Sequence, residues 1–173
     1  DYQEIINIFL RNIAFVIIIS LLLIILQSYI YQLSLSVFEL SSETKKYFKD
    51  YFIFRIYSSF GELTIFVITG LFIGLQKTKT SSIIVAFYSI TNIILSLVFV
   101  LYFNLNVLGV ALGTLVASTL STIIFLFYTF FALSKITKLH LNTRKIFNLN
   151  KVKNIFNINF NIFIRSLLLA FAF

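Results

Sequence analysis

The runs SSIIVAFYSITNIILSLVFVLYF (Ser81–Phe103) and LGVALGTLVASTLSTIIFLFYTFFALS (Leu108–Ser134), with NLNV (Asn104–Val107) between them, decide the fold. Each run exceeds the ~20 apolar residues that cross ~30 Å of hydrocarbon at about 1.5 Å per helical residue. Their β-branched and aromatic residues suit strands, but neither run alternates polar and apolar with a period of two. Backbone groups in lipid must find partners within their own segment, and a helix provides them. A short connection then forces the two helices to lie antiparallel.

Working outward, two more runs of this kind precede them. Span I covers about Asn12–Phe38 and span II Phe52–Leu75, followed by span III (Ser81–Phe103) and span IV (Leu108–Ser134). A fifth run begins near Phe160. Gln76–Thr80 is a second short connection, and the chain has no proline to kink any span. The reading is an all-α, polytopic transmembrane helix bundle with about four complete spans and the start of a fifth.

Composition points the same way. The 173 residues are 60% hydrophobic and only 12% charged, with a mean hydropathy of +1.00. Soluble domains carry about 25% charge, so a water-soluble globule and a disordered chain are both disfavoured. No cysteine and a single histidine, His140, argue against zinc ribbons, iron–sulfur clusters and Cys–His catalysis. There is no acid pair, nucleophile–base pair, phosphate loop or metal-ligand spacing, so no enzyme is expected. The chain starts at Asp1, lacks methionine and stops within an apolar run at Phe173, which reads as an internal piece of a longer protein.

The net charge of +8 is a topology signal. Connections alternate sides. One side carries Arg11, Lys77, Lys79, Lys135, Lys138, Arg144, Lys145, Lys151, Lys153 and Arg165. The other carries Lys45, Lys46 and Lys49, diluted by Glu39, Glu43 and Asp50. The Lys/Arg excess makes the first side cytoplasmic. No nucleic-acid partner is implied, because this charge flanks lipid. Within Lys135–Arg165, the residues Ile146, Leu149, Val152, Phe156 and Phe160 fall near helical spacing among Lys145, Lys151 and Lys153. That segment reads either as a basic helix on the inner membrane face or as a polar linker.

Three features bear on function. Gly109, Gly113, Ala117 and Ser121 form a stripe on one face of span IV, and Gly70 and Gly74 a shorter one on span II. Such stripes let another helix approach closely. Second, equal counting from the middle of Asn104–Val107 brings Ser96 level with Thr114 and Asn92 level with Ser118. Polar side chains at that depth either bond between helices, at about 0.6 kcal/mol each, or line an aqueous cavity. Third, Glu62 lies near the centre of span II, where a carboxylate costs about 2.5–3.5 kcal/mol to insert. Arg55 precedes it on roughly the same face. The two form either a structural ion pair or a site whose carboxylate carries a proton.

The runs Tyr51–Ser58, Gly70–Gln76 with its Lys/Thr turn, Asn92–Leu95 and Asn106–Thr114 resemble the MATE multidrug-efflux family. The DinF-like branch is the most similar, and Arg165–Leu169 resembles the opening of that branch's second half. The similarity extends from about Tyr47 to Phe173. The resemblance implies that residues 1–134 are transmembrane helices 3–6 of a twelve-helix, two-lobe transporter. Residues 135–160 become the cytoplasmic inter-lobe linker, and 161–173 the start of the C-terminal lobe.

Members of this family are antiporters of the cell inner membrane. They exchange protons or sodium for amphiphilic, often cationic compounds by alternating access, without a prosthetic cofactor. The bilayer, the amphiphile and the remainder of the polypeptide are the implied partners. Asn92 matches the asparagine of the family's N-lobe cation site and Thr114 its threonine. Ser96 stands where an aspartate is expected, and Phe60 near an expected proline. The expected cavity is therefore Asn92, Ser96 and Thr114, with Glu62 and Arg55 as further members. The alternatives are a lipid-linked oligosaccharide flippase of the same superfamily and a non-transporting membrane scaffold.

Overall fold

A computed structural model of the chain describes residues 2–38 and 41–135, and beyond them 151, 153, 156, 157, 159–161, 164, 165, 168 and 169. The described residues form helices and no strand. Four α-helices follow one another: α1 (Tyr2–Val37), α2 (Ser42–Gly74), α3 (Thr78–Leu97), which runs into a π-helical turn (Val98–Tyr102), and α4 (Asn106–Ser134). All four are long and apolar enough to cross a membrane, so the chain is a multi-pass membrane protein built as an all-α bundle. The helices overrun the expected spans, most at the starts of α1 and α2. At about 1.5 Å per residue, the 36 residues of α1 measure ~54 Å, well beyond the hydrocarbon core.

The helix ends follow local chemistry. Ser41 caps α2, its hydroxyl accepting from the Thr44 amide at 3.3 Å. At the other end Gln76 adopts φ 59°, the Gln76 amide donates to the Ile73 carbonyl, and the Lys77 amide reaches the Phe72 carbonyl at 2.8 Å. That pairing closes a helix with a left-handed residue and reverses the chain. Asn104 and Asn106 take φ of 55° and 49° in the next connection. Asparagine tolerates this region because its short polar side chain bonds locally.

α2 and α4 form the centre, with α3 packed on both and α1 mainly on α2. Burial follows this order: 44% of the most apolar stretch of α4 is buried, against 6% in α3, most of whose surface is uncovered among the described residues. Ile6, Phe9, Ile68, Phe72, Ile84 and Phe125 knit the four helices into one core near the α2–α3 connection. At the opposite end Tyr31 stacks on Phe48 at 5.7 Å and holds α1 to the start of α2. Buried hydroxyls bond back onto their own helices, as Thr64 does to the Phe60 carbonyl at 2.7 Å and Thr129 to that of Phe125.

Lys151 meets Glu4 at 2.8 Å, beside the Arg11–Glu4 pair at 3.0 Å, and so touches the start of α1. Of the other residues that define the expected interfacial helix, Lys153, Phe156 and Phe160 are helical and exposed, with Phe156 stacked on Phe160 at 6.1 Å; Lys145, Ile146, Leu149 and Val152 lie outside the described residues, as do Lys138, Arg144 and most of 161–173.

A candidate polar site shared by three helices

Small residues bring α4 against its neighbours. A β-carbon at Gly113 would stand 2.5 Å from Ser96 Oγ and 2.7 Å from its amide nitrogen. One at Gly109 would stand 2.9 Å from the Phe99 carbonyl carbon. Ala117 is wholly buried on the same stripe. α2 meets α4 at Gly61, where a β-carbon would lie 2.8 Å from that of Ser118. There Thr122 Oγ1 donates to the Gly61 carbonyl at 2.9 Å. Polar groups on α2, α3 and α4 are thereby held within side-chain reach of one another.

Glu62 is the hub. Its Oε1 accepts from Arg55, with which it forms an ion pair, and from the Tyr88 hydroxyl of α3 at 2.9 Å. Ser58, buried between them, lies 3.5 Å from the same oxygen and 3.1 Å from the guanidinium. The Oε2 atom has no hydrogen-bond partner among the described residues. One turn beyond Tyr88 on the same face of α3, Asn92 donates to Thr114 Oγ1 at 3.1 Å. Ser96, one further turn along, donates to Asn92 Oδ1 at 3.3 Å. A chain of polar groups thus runs Arg55, Glu62, Tyr88, Asn92, Thr114, crossing from α2 through α3 to α4.

Of the residues expected from sequence, Arg55, Glu62, Asn92, Ser96 and Thr114 come together. Three details differ from expectation. Ser96 faces Gly113 rather than Thr114, and Asn92 reaches Thr114 rather than Ser118, which turns to Gly61 instead. The π turn accounts for the one-residue shift of Ser96, whereas the longer Asn92 side chain reaches diagonally to Thr114. The Phe103 amide pairs with the Val98 carbonyl five residues back, so one extra residue is wound into α3 before the connection. Counting on ideal α-helices misses it.

The third difference concerns Gly70 and Gly74. They seat no helix among the described residues, since a β-carbon at either would meet nothing within 4 Å. They border a groove of about 540 Å³ between α1 and α2. Ile5, Ile8 and Phe9 of α1 line its other wall, and their bulk keeps the two backbones apart. Tyr88 and Gly61 were not singled out from sequence. Tyr88 sits one turn before Asn92 on the same face, a signal that counting only uncommon polar residues passes over. Gly61 carries no sequence signal, because its role lies in the helix opposite. No His, Cys, Asp or Glu cluster suited to a metal exists among the described residues.

No family model, curated protein or solved structure matches the chain.

Proposed function

We propose that the chain forms part of a secondary active transporter that exports amphiphilic, cationic compounds in exchange for protons or sodium. The observation that carries this reading is the Glu62 hub inside a membrane-crossing bundle. Ionisable groups within a span are costly and mark ion or substrate pathways. Oε1 is engaged by two donors from two helices, Arg55 and Tyr88, whereas Oε2 has no hydrogen-bond partner among the described residues and is the free lone-pair site for a cation. A proton, a sodium ion or a cationic substrate at Oε2 weakens the hold of the carboxylate on Arg55. The Tyr88 hydroxyl passes that change to Asn92 and so to the α3–α4 contact.

A cation that prefers one arrangement of these helices over the other shifts their balance by that difference. Alternating access uses the same coupling between two lobes. Further helices of the same polypeptide complete the pathway, as in the family that the sequence resembles. The positive-inside pattern sets the Gln76 connection and the residues after α4 in the cytosol.

The test is gradient-driven efflux of a cationic dye by the full-length protein in proteoliposomes. Efflux that stops with an uncoupler or on removal of sodium is the expected result. Glu62→Gln removes a charged acceptor worth about 1.5–3 kcal/mol per bond, so coupled efflux falls roughly tenfold or more. Movement of a lipid-linked sugar without dye efflux would replace this reading with a flippase. The absence of both would leave a scaffold.

A further inference from the structure

A second cluster of charged and amide groups, which the Glu62 hub does not use, sits at the start of α1. Glu4, Asn7 and Arg11 share one face of that helix, and Asn7 and Arg11 are only 3% and 2% exposed. Arg11 donates to Glu4 Oε1 at 3.0 Å. Asn7 Nδ2 lies 3.5 Å from Oε2, and Asn7 Oδ1 is buried with no hydrogen-bond partner among the described residues. From 147 positions along the chain, Lys151 Nζ donates to the same Oε2 at 2.8 Å.

The two ion pairs of Glu4 differ in kind. Arg11 is buried, so removing Glu4 would cost a buried charge its counterion. The Lys151 side chain is 49% exposed, so its ammonium regains water when it lets go, and solvent screens the pair while it lasts. Release of Lys151 leaves Glu4 bonded to Arg11. The buried guanidinium thus holds the carboxylate in place whether or not Lys151 is seated, and such pre-organisation lowers the cost of each new docking.

A second described residue of the same segment meets the same stretch of α1. Asn159 borders the groove of about 540 Å³ between α1 and α2, as do Ile8 and Asn12. Glu4, Ile8 and Asn12 follow one another at single-turn spacing, so the Lys151 seat and the groove wall form one stripe of α1. Apolar packing is a weak anchor here. Phe156 and Phe160, between the two contacts or beside them, are 57% and 51% exposed, and a β-carbon at Gly70 or Gly74 of the facing wall would meet nothing.

We infer that Glu4 and Lys151 form a salt-sensitive clasp, which holds residues after α4 against the α1–α2 groove and releases them without disturbing the bundle. The clasp does not depend on the transport reading, because it shares no residue with the Glu62 hub.

Pulsed electron–electron resonance on the full chain in lipid nanodiscs tests this. The chain has no cysteine, so Gly74→Cys with Asn159→Cys places spin labels at two positions that border the groove, and Gly74 has room for one. A short-distance population should dominate at low salt. An exposed ion pair changes the ratio of docked to released chain by about 1.5- to fivefold. Lys151→Gln lowers the ratio by that factor, and so does about 1 M potassium chloride, where the screening length is ~3 Å. In Lys151→Gln, added salt has no further effect. Lys151→Arg retains the docked population, and Lys153→Gln leaves it intact. A second label pair, Ile8→Cys with Gly74→Cys, reads α1 against α2 and stays constant throughout. A ratio that ignores Lys151→Gln, an equal fall with Lys153→Gln, or no short-distance population in the parent chain would overturn the clasp. A shift of the Ile8–Gly74 distance in Lys151→Gln would overturn it too, because the contact would then hold the bundle itself.

Discussion

At the residue scale, the pairing of Arg55 with Glu62 sets what each substitution should do. Breaking a buried pair by removing one partner costs about 3–5 kcal/mol, because a charge is stranded. The Arg55 side chain is 40% exposed, however, so solvent screens part of that loss. Arg55→Gln should therefore destabilise the fold by about 1–2 kcal/mol, or roughly 2–8 °C in a thermal melt in detergent. The double change Arg55→Gln with Glu62→Gln strands no charge and should recover most of the loss. If the double variant melts as low as Arg55→Gln alone, the pair is not what holds these side chains.

The glycines divide in the same way. Gly113→Ala drives a methyl group into the backbone of Ser96, and overpacking of this kind costs about 1–3 kcal/mol. Gly70→Ala meets nothing and gains helix propensity of up to ~1 kcal/mol. Opposite shifts in melting midpoint are expected. Both glycine pairs have the same four-residue spacing, so spacing alone could not tell a packing glycine from an open one.

At the scale of elements, the π turn Val98–Tyr102 sets the register between α3 and α4. Deleting Val100 returns the turn to ordinary α-helix and rotates the rest of α3 by about 100°. Asn92 and Ser96 then leave the face of Thr114 and Gly113. The chain has no cysteine, so the pair Asn92→Cys with Thr114→Cys reads this out against an empty background. A short bifunctional thiol reagent should bridge that pair in the intact chain and fail after the deletion. Bridging that survives the deletion would mean that the connection, not the π turn, fixes the register. The existence of each helix was legible in its apolar run, because the cost of unpaired backbone in lipid leaves no other choice. Its ends were less legible: hydropathy does not mark where the Ser41 cap or the left-handed Gln76 stops a helix.

At the scale of the whole molecule, sidedness is the open consequence of the charge pattern. With α2 and α3 antiparallel, Gln76–Lys77 and Asn104–Leu105 lie at opposite ends of the bundle. Cysteines at Lys77 and Asn104 should therefore label from opposite faces, Lys77→Cys only from the cytosol and Asn104→Cys only from outside. Labelling of both from one face would break the antiparallel bundle itself. The sequence by itself determined that these helices are long and apolar enough to cross lipid, that neighbours run antiparallel, and that Glu62, Asn92 and Thr114 are polar groups placed within apolar spans. Those are properties of segments: hydrocarbon thickness, loop length and the cost of an unsatisfied polar atom are fixed by composition and spacing. Only the tertiary structure decided which partners they found. It joined Tyr88 to Glu62, set Gly61 against Ser118, and left Gly70 and Gly74 facing a groove. Each of these depends on the rotation of one helix against another, which a single turn or one extra residue changes by about 100°, and no local pattern records that rotation.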